Sequence, residues 1–256
     1  MPTNKSLGQH WLQDRSVLAA IADEASLMKD DTVLEIGPGL GTLTSELLRR
    51  AGKVVAVEFD AALAHKLPGQ FPGTNLEVVH HDILQFNLSQ LPAGYKVVAN
   101  VPYYITSKIV QYLMTASNRP SIAVLLVQKE VAERIAATPG DMSILAIAAQ
   151  VYAETRVGVV VPRDFFTPPP KVDSQVIVLN TLTQPLVSLQ DEKRFFRLVK
   201  AGFSAKRKKL RSSLAGGLAL AKQQVEEMLM QAAISPDARA EDLAIEEWKR
   251  LMEYLP

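Results

Sequence analysis

Cysteine is absent from the 256 residues. Disulfides, thiolate nucleophiles and cysteine-held metals are therefore excluded, which fits a reducing compartment. The four histidines, His10, His65, His80 and His81, lack metal-ligand spacing. His80-His81 reads as the end of a strand. No uninterrupted apolar run is long enough to span a bilayer. Residues 1–10 hold no apolar core of the signal-peptide kind. A cytoplasmic protein with no membrane association is expected. An excess of one charge is also missing: 28 Lys and Arg face 27 Asp and Glu, for a formal net charge of +1. Any nucleic-acid surface must then come from local clustering.

What is present is an ordinary folded composition, 48% apolar and 21% charged, in a chain long enough for one large and one small domain. Strand patterns at 32–36, 53–58, 75–79, 96–99 and 121–127 alternate with helical patterns at 17–25, 42–50, 61–67 and 107–115. Alternation of this kind predicts an α/β fold with a mostly parallel, doubly wound sheet. Two more helices are expected at 129–137 and 143–152. Strands at 157–161 and 175–179 have no helix between them, only a proline-rich loop at 165–171, and can pair as an antiparallel hairpin at one side. After Asn180 the texture changes to a linker-like stretch at 181–190. From Glu192 onward the pattern is helical, punctuated by Gly216-Gly217 and Ser235-Pro236. Two domains are expected, 1–182 and a small all-α domain at 183–256, with Trp248 in the core of the second.

Three consecutive strand ends carry polar chemistry. Gly37-Pro38-Gly39-Leu40-Gly41 follows the first strand and opens a helix, so backbone can approach a ligand closely there. Glu58 closes the second strand, where a carboxylate can accept both hydroxyls of a ribose. Asp82 closes the third and can accept from an adenine amino group, with Ile83 against the ring. Together they predict a nucleoside-containing cofactor; the alternative is that Glu58 and Asp82 are caps or surface acids. The glycine spacing is not the Gly-x-Gly-x-x-Gly of dinucleotide binders, and no residue set for hydride transfer is evident. S-adenosylmethionine, which has ribose and adenine but no phosphate, fits better than a dinucleotide. At the end of the fourth strand stands Asn100-Val101-Pro102-Tyr103, which is either a simple turn or a grip for a planar ring bearing an amino group. Lys206, Arg207, Lys208, Lys209 and Arg211, with Phe203 and Lys200 nearby and Arg194 and Arg197 upstream, form either a solvated helix face or a phosphate-binding face. Their one-sided charge in a neutral chain favours RNA.

Four segments in order resemble one family: Ser6-Leu7-Gly8-Gln9-His10-Trp11-Leu12, Glu35-Ile36-Gly37-Pro38-Gly39-Leu40-Gly41, Asn100-Val101-Pro102-Tyr103, and Phe166-Thr167-Pro168-Pro169-Pro170-Lys171-Val172-Asp173-Ser174. The set is similar to the KsgA/RsmA-type rRNA adenine dimethyltransferases. That resemblance implies a Rossmann-like class I S-adenosylmethionine methyltransferase sheet with a small all-α carboxyl-terminal domain. It implies dimethylation of N6 on two adjacent adenosines near the 3′ end of small-subunit rRNA, in an immature 30S subunit, by a monomer. It also implies a cofactor site made by His10, Leu12, Gly37, Glu58, Asp82 and Asn100, with Gly39 and Ile83 alongside. Two departures stand out: His10-Trp11 replaces the more usual Asn-Phe, and Val101 replaces Leu. The catalytic set expected is Asn100, Val101, Pro102 and Tyr103, with Phe166 covering the second face of the base. Two other readings remain: a resistance-type methyltransferase of large-subunit rRNA, and a non-catalytic ribosome-assembly factor on the same fold.

Overall fold

The computed structural model describes residues 10–205 and 207–256. In chain order its elements are β1 (Trp11–Leu12), α1 (Arg15–Asp23), β2 (Thr32–Ile36), α2 (Thr42–Arg50), β3 (Lys53–Glu58), α3 (Ala61–Lys66), β4 (Leu76–His80), β5 (Lys96–Asn100), α4 (Thr106–Thr115), β6 (Ile122–Gln128), α5 (Lys129–Ile135), α6 (Ile144–Gln150), β7 (Ala153–Val161), β8 (Phe166–Thr167), β9 (Ser174–Thr181), α7 (Glu192–Gly202), α8 (Leu210–Leu218), α9 (Lys222–Gln231) and α10 (Ile245–Glu253). None of the described helices is long and apolar enough to cross a membrane.

Seven strands form one sheet in the order β4-β3-β2-β5-β6-β9-β7. The pairs β4-β3, β3-β2, β2-β5 and β5-β6 are parallel; β6-β9 and β9-β7 are antiparallel. Burial explains the order. The inner strands β2, β3, β5, β6 and most of β9 are buried at consecutive residues, so both faces are covered and the sequence shows unbroken apolar runs. The edge strands β4 and β7 are partly exposed. The two late strands pair antiparallel as expected, and β9 sits between β6 and β7. Helix α1 begins two residues before the apolar pattern, because Asp14 accepts from the Ser16 and Val17 N–H groups and caps the first turn. A core on one side of the sheet joins Leu18 and Ile21 of α1, Leu43 and Leu47 of α2, and Val33, Val54, Val98 and Val124.

The chain divides into two compact units. One holds the chain to Glu133 together with Ala153–Leu182; the other holds Arg134–Tyr152 and Thr183–Pro256. Two contiguous domains, 1–182 and 183–256, were expected; here residues 134–152 group with the carboxyl-terminal helices. Their backbone explains why: Gly140 and Met142 N–H donate to the Glu241 carbonyl at 2.9 and 3.1 Å, and Leu186 N–H donates to Val151 at 2.8 Å. In this second unit Trp248 is fully buried and stacks on Phe203 with ring centroids 6.0 Å apart. Gly216-Gly217, expected as punctuation, lies inside α8 instead. A Cβ on Gly217 would come within 2.6 Å of Ala201 Cα, so the missing side chain lets α8 press against α7.

Candidate active site

The order of the strands creates the site. Strand β2 lies between β3 and β5, so the connections leaving its two neighbours run to opposite sides and open a crevice at the carboxyl ends. A cavity of about 340 Å³ occupies this place, within the usual range of small-ligand sites. His10–Leu12, the ends of β2, β3, β4 and β5, and Lys108 of α4 line it. Gly37, Gly39, Glu58, Asp82, Ile83, Asn100, Val101, Pro102 and Tyr103, all singled out in the sequence, meet on this one wall.

The glycine turn is held from the second strand. Gly39 N–H donates to Glu58 Oε2 at 3.0 Å, and Asp60 N–H donates to Oε1 at 2.9 Å. Gly39 has φ +57°, and a Cβ there would lie 2.3 Å from Trp11 Cζ3, so both conformation and the packed indole demand glycine. A Cβ on Gly37 would meet nothing within 4 Å; its place is open cavity. Each Glu58 oxygen retains a second lone pair for a ligand hydroxyl. Burial raises the Glu58 carboxyl above its ordinary value, against the backbone hydrogen bonds from Asp60, Gly39 and Phe59 that lower it. Asp82 does both things the sequence allowed: its Oδ1 caps a turn by accepting from Leu84 N–H at 2.9 Å, and the residue lines the cavity. Phe59, 60% exposed, and buried Ile83 are apolar groups of the same wall. Phe59 was not anticipated, although it directly follows Glu58. Among the described lining residues three carboxyl groups, Glu35, Glu58 and Asp82, face a single ammonium, Lys108. With buried Glu35 holding its proton, Glu58 and Asp82 disfavour a pyrophosphate and suit a phosphate-free nucleoside bearing a sulfonium, so the residues present fit S-adenosylmethionine.

Glu35 is the second residue missed in the sequence, where an acid inside the apolar run Thr32–Ile36 was the available signal. It is 1% exposed and accepts from Thr44 Oγ1 at 2.6 Å. Burial pushes its carboxyl up from 4.5 to about 8; the Thr44 hydrogen bond works against this, and the charge of Glu58 adds to it. The unfolded chain loses this proton near 4.5 and the folded protein near 8. The stability that the protonated form contributes is thus complete below 4.5 and is lost as pH rises through about 8. Glu35→Gln keeps an acceptor for Thr44 and cannot ionise. It is expected to unfold like the parent near pH 5 and to be more stable by on the order of a few kcal/mol near pH 9. Thermal unfolding of both cofactor-free proteins across pH checks this; parallel curves would refute it.

The other half of the cavity is the turn after β5. Asn100 Nδ2 donates to the His10 carbonyl at 3.5 Å. A carbonyl only accepts, so the amide nitrogen faces His10 and Oδ1 is left for a ligand donor. Among the described residues the Val101 carbonyl accepts no hydrogen bond. Tyr103 is half-buried, and its hydroxyl lies 2.6 Å from Ser174 Oγ. Its ring stacks against His10 at 5.8 Å. His10 Nδ1 lies 2.7 Å from the Pro168 carbonyl and so carries the hydrogen. The segment around His10 and the proline-rich loop thus meet at the turn after β5, helped by a two-stranded ladder in which Trp11 opposes Thr167 and Leu12 opposes Phe166. The rest of that amino-terminal segment, Ser6-Leu7-Gly8-Gln9, lies outside the described residues.

The same ladder corrects one expectation. Phe166 does not line the cavity. It is 2% exposed and packs in the core with Leu12 and Leu18, because directly opposed residues of a ladder point to one face and Leu12 faces inward. Phe166 therefore covers no bound base here. Leu12 contributes to the cavity wall and fixes α2 through its carbonyl, which accepts from Thr42 Oγ1 at 2.9 Å.

The basic cluster lies in the second unit. Lys206 is outside the described residues. Arg207 and Lys208 are exposed and make no ion pair among the described residues. Lys209 is paired with Asp237 at 2.6 Å, and Arg211 with Glu226 at 3.1 Å. Two of the four described cations of that cluster are thus already matched by acids of the same unit.

The family model of ribosomal RNA adenine dimethylases matches residues 2–256. Proteins named "Ribosomal RNA small subunit methyltransferase A" are similar over nearly the whole chain. The one from Dehalococcoides mccartyi (strain CBDB1) is 42% identical over 99% of this chain and 89% of its own length; the one from Moorella thermoacetica is 42% identical over 98% and 92%. Among solved structures, 23S rRNA methyltransferase ErmE superposes with a TM-score of 0.78 at 33% identity, covering 96% of this chain and 99% of that one. A dimethyladenosine transferase from Plasmodium falciparum superposes with a TM-score of 0.81 at 27% identity, covering 94% and 96%. The fold is thus the α/β sheet of the class I methyltransferases, as the sequence predicted. Matched by that model over residues 2–256 and similar to relatives 42% identical over nearly its whole length, the chain belongs to the ribosomal RNA adenine dimethylase family.

Proposed function

We propose that this protein transfers methyl groups from S-adenosylmethionine to N6 of two adjacent adenosines near the 3′ end of small-subunit rRNA, two to each, during maturation of the subunit. The observation that carries this is the convergence, in one cavity, of an acid-rich nucleoside cradle and a turn that offers two free acceptors beside an aromatic ring. The small-subunit substrate is supported by relatives of that name at 42% identity, against 33% for ErmE.

When bound, S-adenosylmethionine supplies an electrophilic methyl group on a sulfonium. Glu58 accepts from the ribose hydroxyls, Asp82 from the adenine amino group, and Gly37 gives the room for close approach. His10, Leu12, Gly39 and Ile83 complete that side. The N6 lone pair of the target adenine is delocalised into its ring and is a poor nucleophile. Asn100 Oδ1 and the Val101 carbonyl accept from the N6 hydrogens and favour a pyramidal nitrogen whose lone pair points at the methyl. Pro102 holds the turn, and Tyr103 stacks on the base, which must first leave its own stack. Each transfer ends with loss of one N6 proton to solvent, so after the first N6 has one hydrogen left and one acceptor suffices for the second.

Methyl transfer from labelled cofactor to unmethylated small subunits and to protein-free large-subunit rRNA, with mass spectrometry of the nucleosides, tests the proposal. Dimethyladenosine in the small subunit alone is expected. Product in large-subunit rRNA alone would overturn the substrate, and no product in either would overturn the activity. Arg207 and Lys208, with the rest of the basic segment, are proposed to contact RNA phosphates. Reversing both to Glu is expected to weaken binding to small subunits and to reduce the slope of log affinity against log salt by about two. An unchanged slope returns the cluster to a solvated face.

A further inference from the structure

The turn that holds Tyr103 also presents Tyr104 and, one helical turn on, Lys108. We infer that Tyr104 and Lys108 hold the nucleotide next to the target adenosine, Tyr104 by stacking on its base and Lys108 by pairing with its phosphate. This rests on the function proposed above.

Tyr103 and Tyr104 are consecutive in a three-residue 3-10 turn, Tyr103–Ile105. Three residues complete such a turn, so neighbouring side chains leave about 120° apart. The two rings accordingly have different surroundings on the same cavity. Tyr103 is half-buried with its hydroxyl on Ser174, whereas Tyr104 is 64% exposed. A lone exposed aromatic needs no explanation. This one stands on the cavity wall together with Lys108, an exposed lysine in the first turn of α4. Lys108 has no ion pair among the described residues. Among the described lining residues it is the one ammonium, and it offers a partner for an anionic group. A flat apolar face beside a free cation is the pairing that holds single-stranded nucleic acid, a base on the ring and its phosphate on the cation. The chemistry demands such a place. When one of two adjacent adenosines enters the pocket, the other remains attached through one phosphate and must lie within a nucleotide's reach of Tyr103.

Kinetics on unmethylated small subunits test this with full-length variants. Tyr104→Ala is expected to raise KM for the subunit by about 5- to 150-fold, the range for losing one stacked base, with kcat little changed. Tyr104→Phe and Tyr104→Trp keep a stacking face and should restore KM. Lys108→Glu is expected to raise KM and to reduce its salt slope by about one. Affinity for S-adenosylmethionine, measured by calorimetry, should stay at the parent value in all four. An unchanged KM in Tyr104→Ala, or an equal rise in Tyr104→Phe, overturns the stacking role. An unaltered salt slope in Lys108→Glu overturns the phosphate contact. If the parent protein itself leaves the small subunit unmethylated, the proposed function falls first; normal parental turnover with silent variants sinks this inference alone.

Discussion

Asn100→Ala is expected to lower kcat for methyl transfer by about 10²- to 10³-fold, the cost of removing one group that acts on charge developing at the reacting atom. Affinity for S-adenosylmethionine should change far less. The split follows from the geometry. The Asn100 nitrogen is turned to the His10 carbonyl, so the oxygen is the free end of the amide. What alanine removes is an acceptor for the N6 hydrogens, whose effect grows as the nitrogen becomes positive. An interaction made mainly in the transition state appears in kcat and in kcat/KM equally. Single-turnover rates at saturating cofactor and subunit measure it directly. A variant with near-parental turnover would sink the assignment, and a loss confined to cofactor KM would move Asn100 wholly to the cofactor side.

Glu58→Ala should show the opposite pattern. Its carboxylate accepts from Gly39 and Asp60 N–H groups, so it both shapes the glycine turn and faces the cavity. Hydrogen bonds to a charged group contribute about 1.5–3 kcal/mol each. Losing the ribose contacts and the anchor of the turn is expected to weaken S-adenosylmethionine by about 10²- to 10⁴-fold. Raising cofactor concentration should recover much of the rate, which it cannot do for Asn100→Ala. Glu58→Gln is expected to lose nearly as much, because its NH2 group must oppose one of two inward-pointing backbone N–H groups. Calorimetric titration gives the affinities. A dissociation constant within about threefold of the parent would remove Glu58 from the ribose site and leave it as a brace for the turn.

Much of the site was legible because strand ends are local features. An apolar run ending in glycine, glutamate, aspartate or asparagine places those residues at one sheet edge once the strands are parallel. Glu35 and Tyr104 were less legible for different reasons. Glu35 hides within a strand pattern, and its protonation depends on burial by neighbours from other elements. Tyr104 differs from Tyr103 only in exposure, which no pattern of one sequence reveals.

The sequence by itself determined the alternation of strands and helices, the antiparallel closing pair, the glycine turn, the strand-end acids and the buried Trp248. Each of these is set by periodicity, caps and turns over a few residues. Only the tertiary structure decided that His10 touches Pro168 across 158 positions, that Phe166 turns into the core, that residues 134–152 join the carboxyl-terminal helices, and that Lys209 and Arg211 are matched by acids. Those outcomes depend on which distant segments share a face or a hydrogen bond. That choice is made by packing the whole chain at once, and no local run of residues contains it.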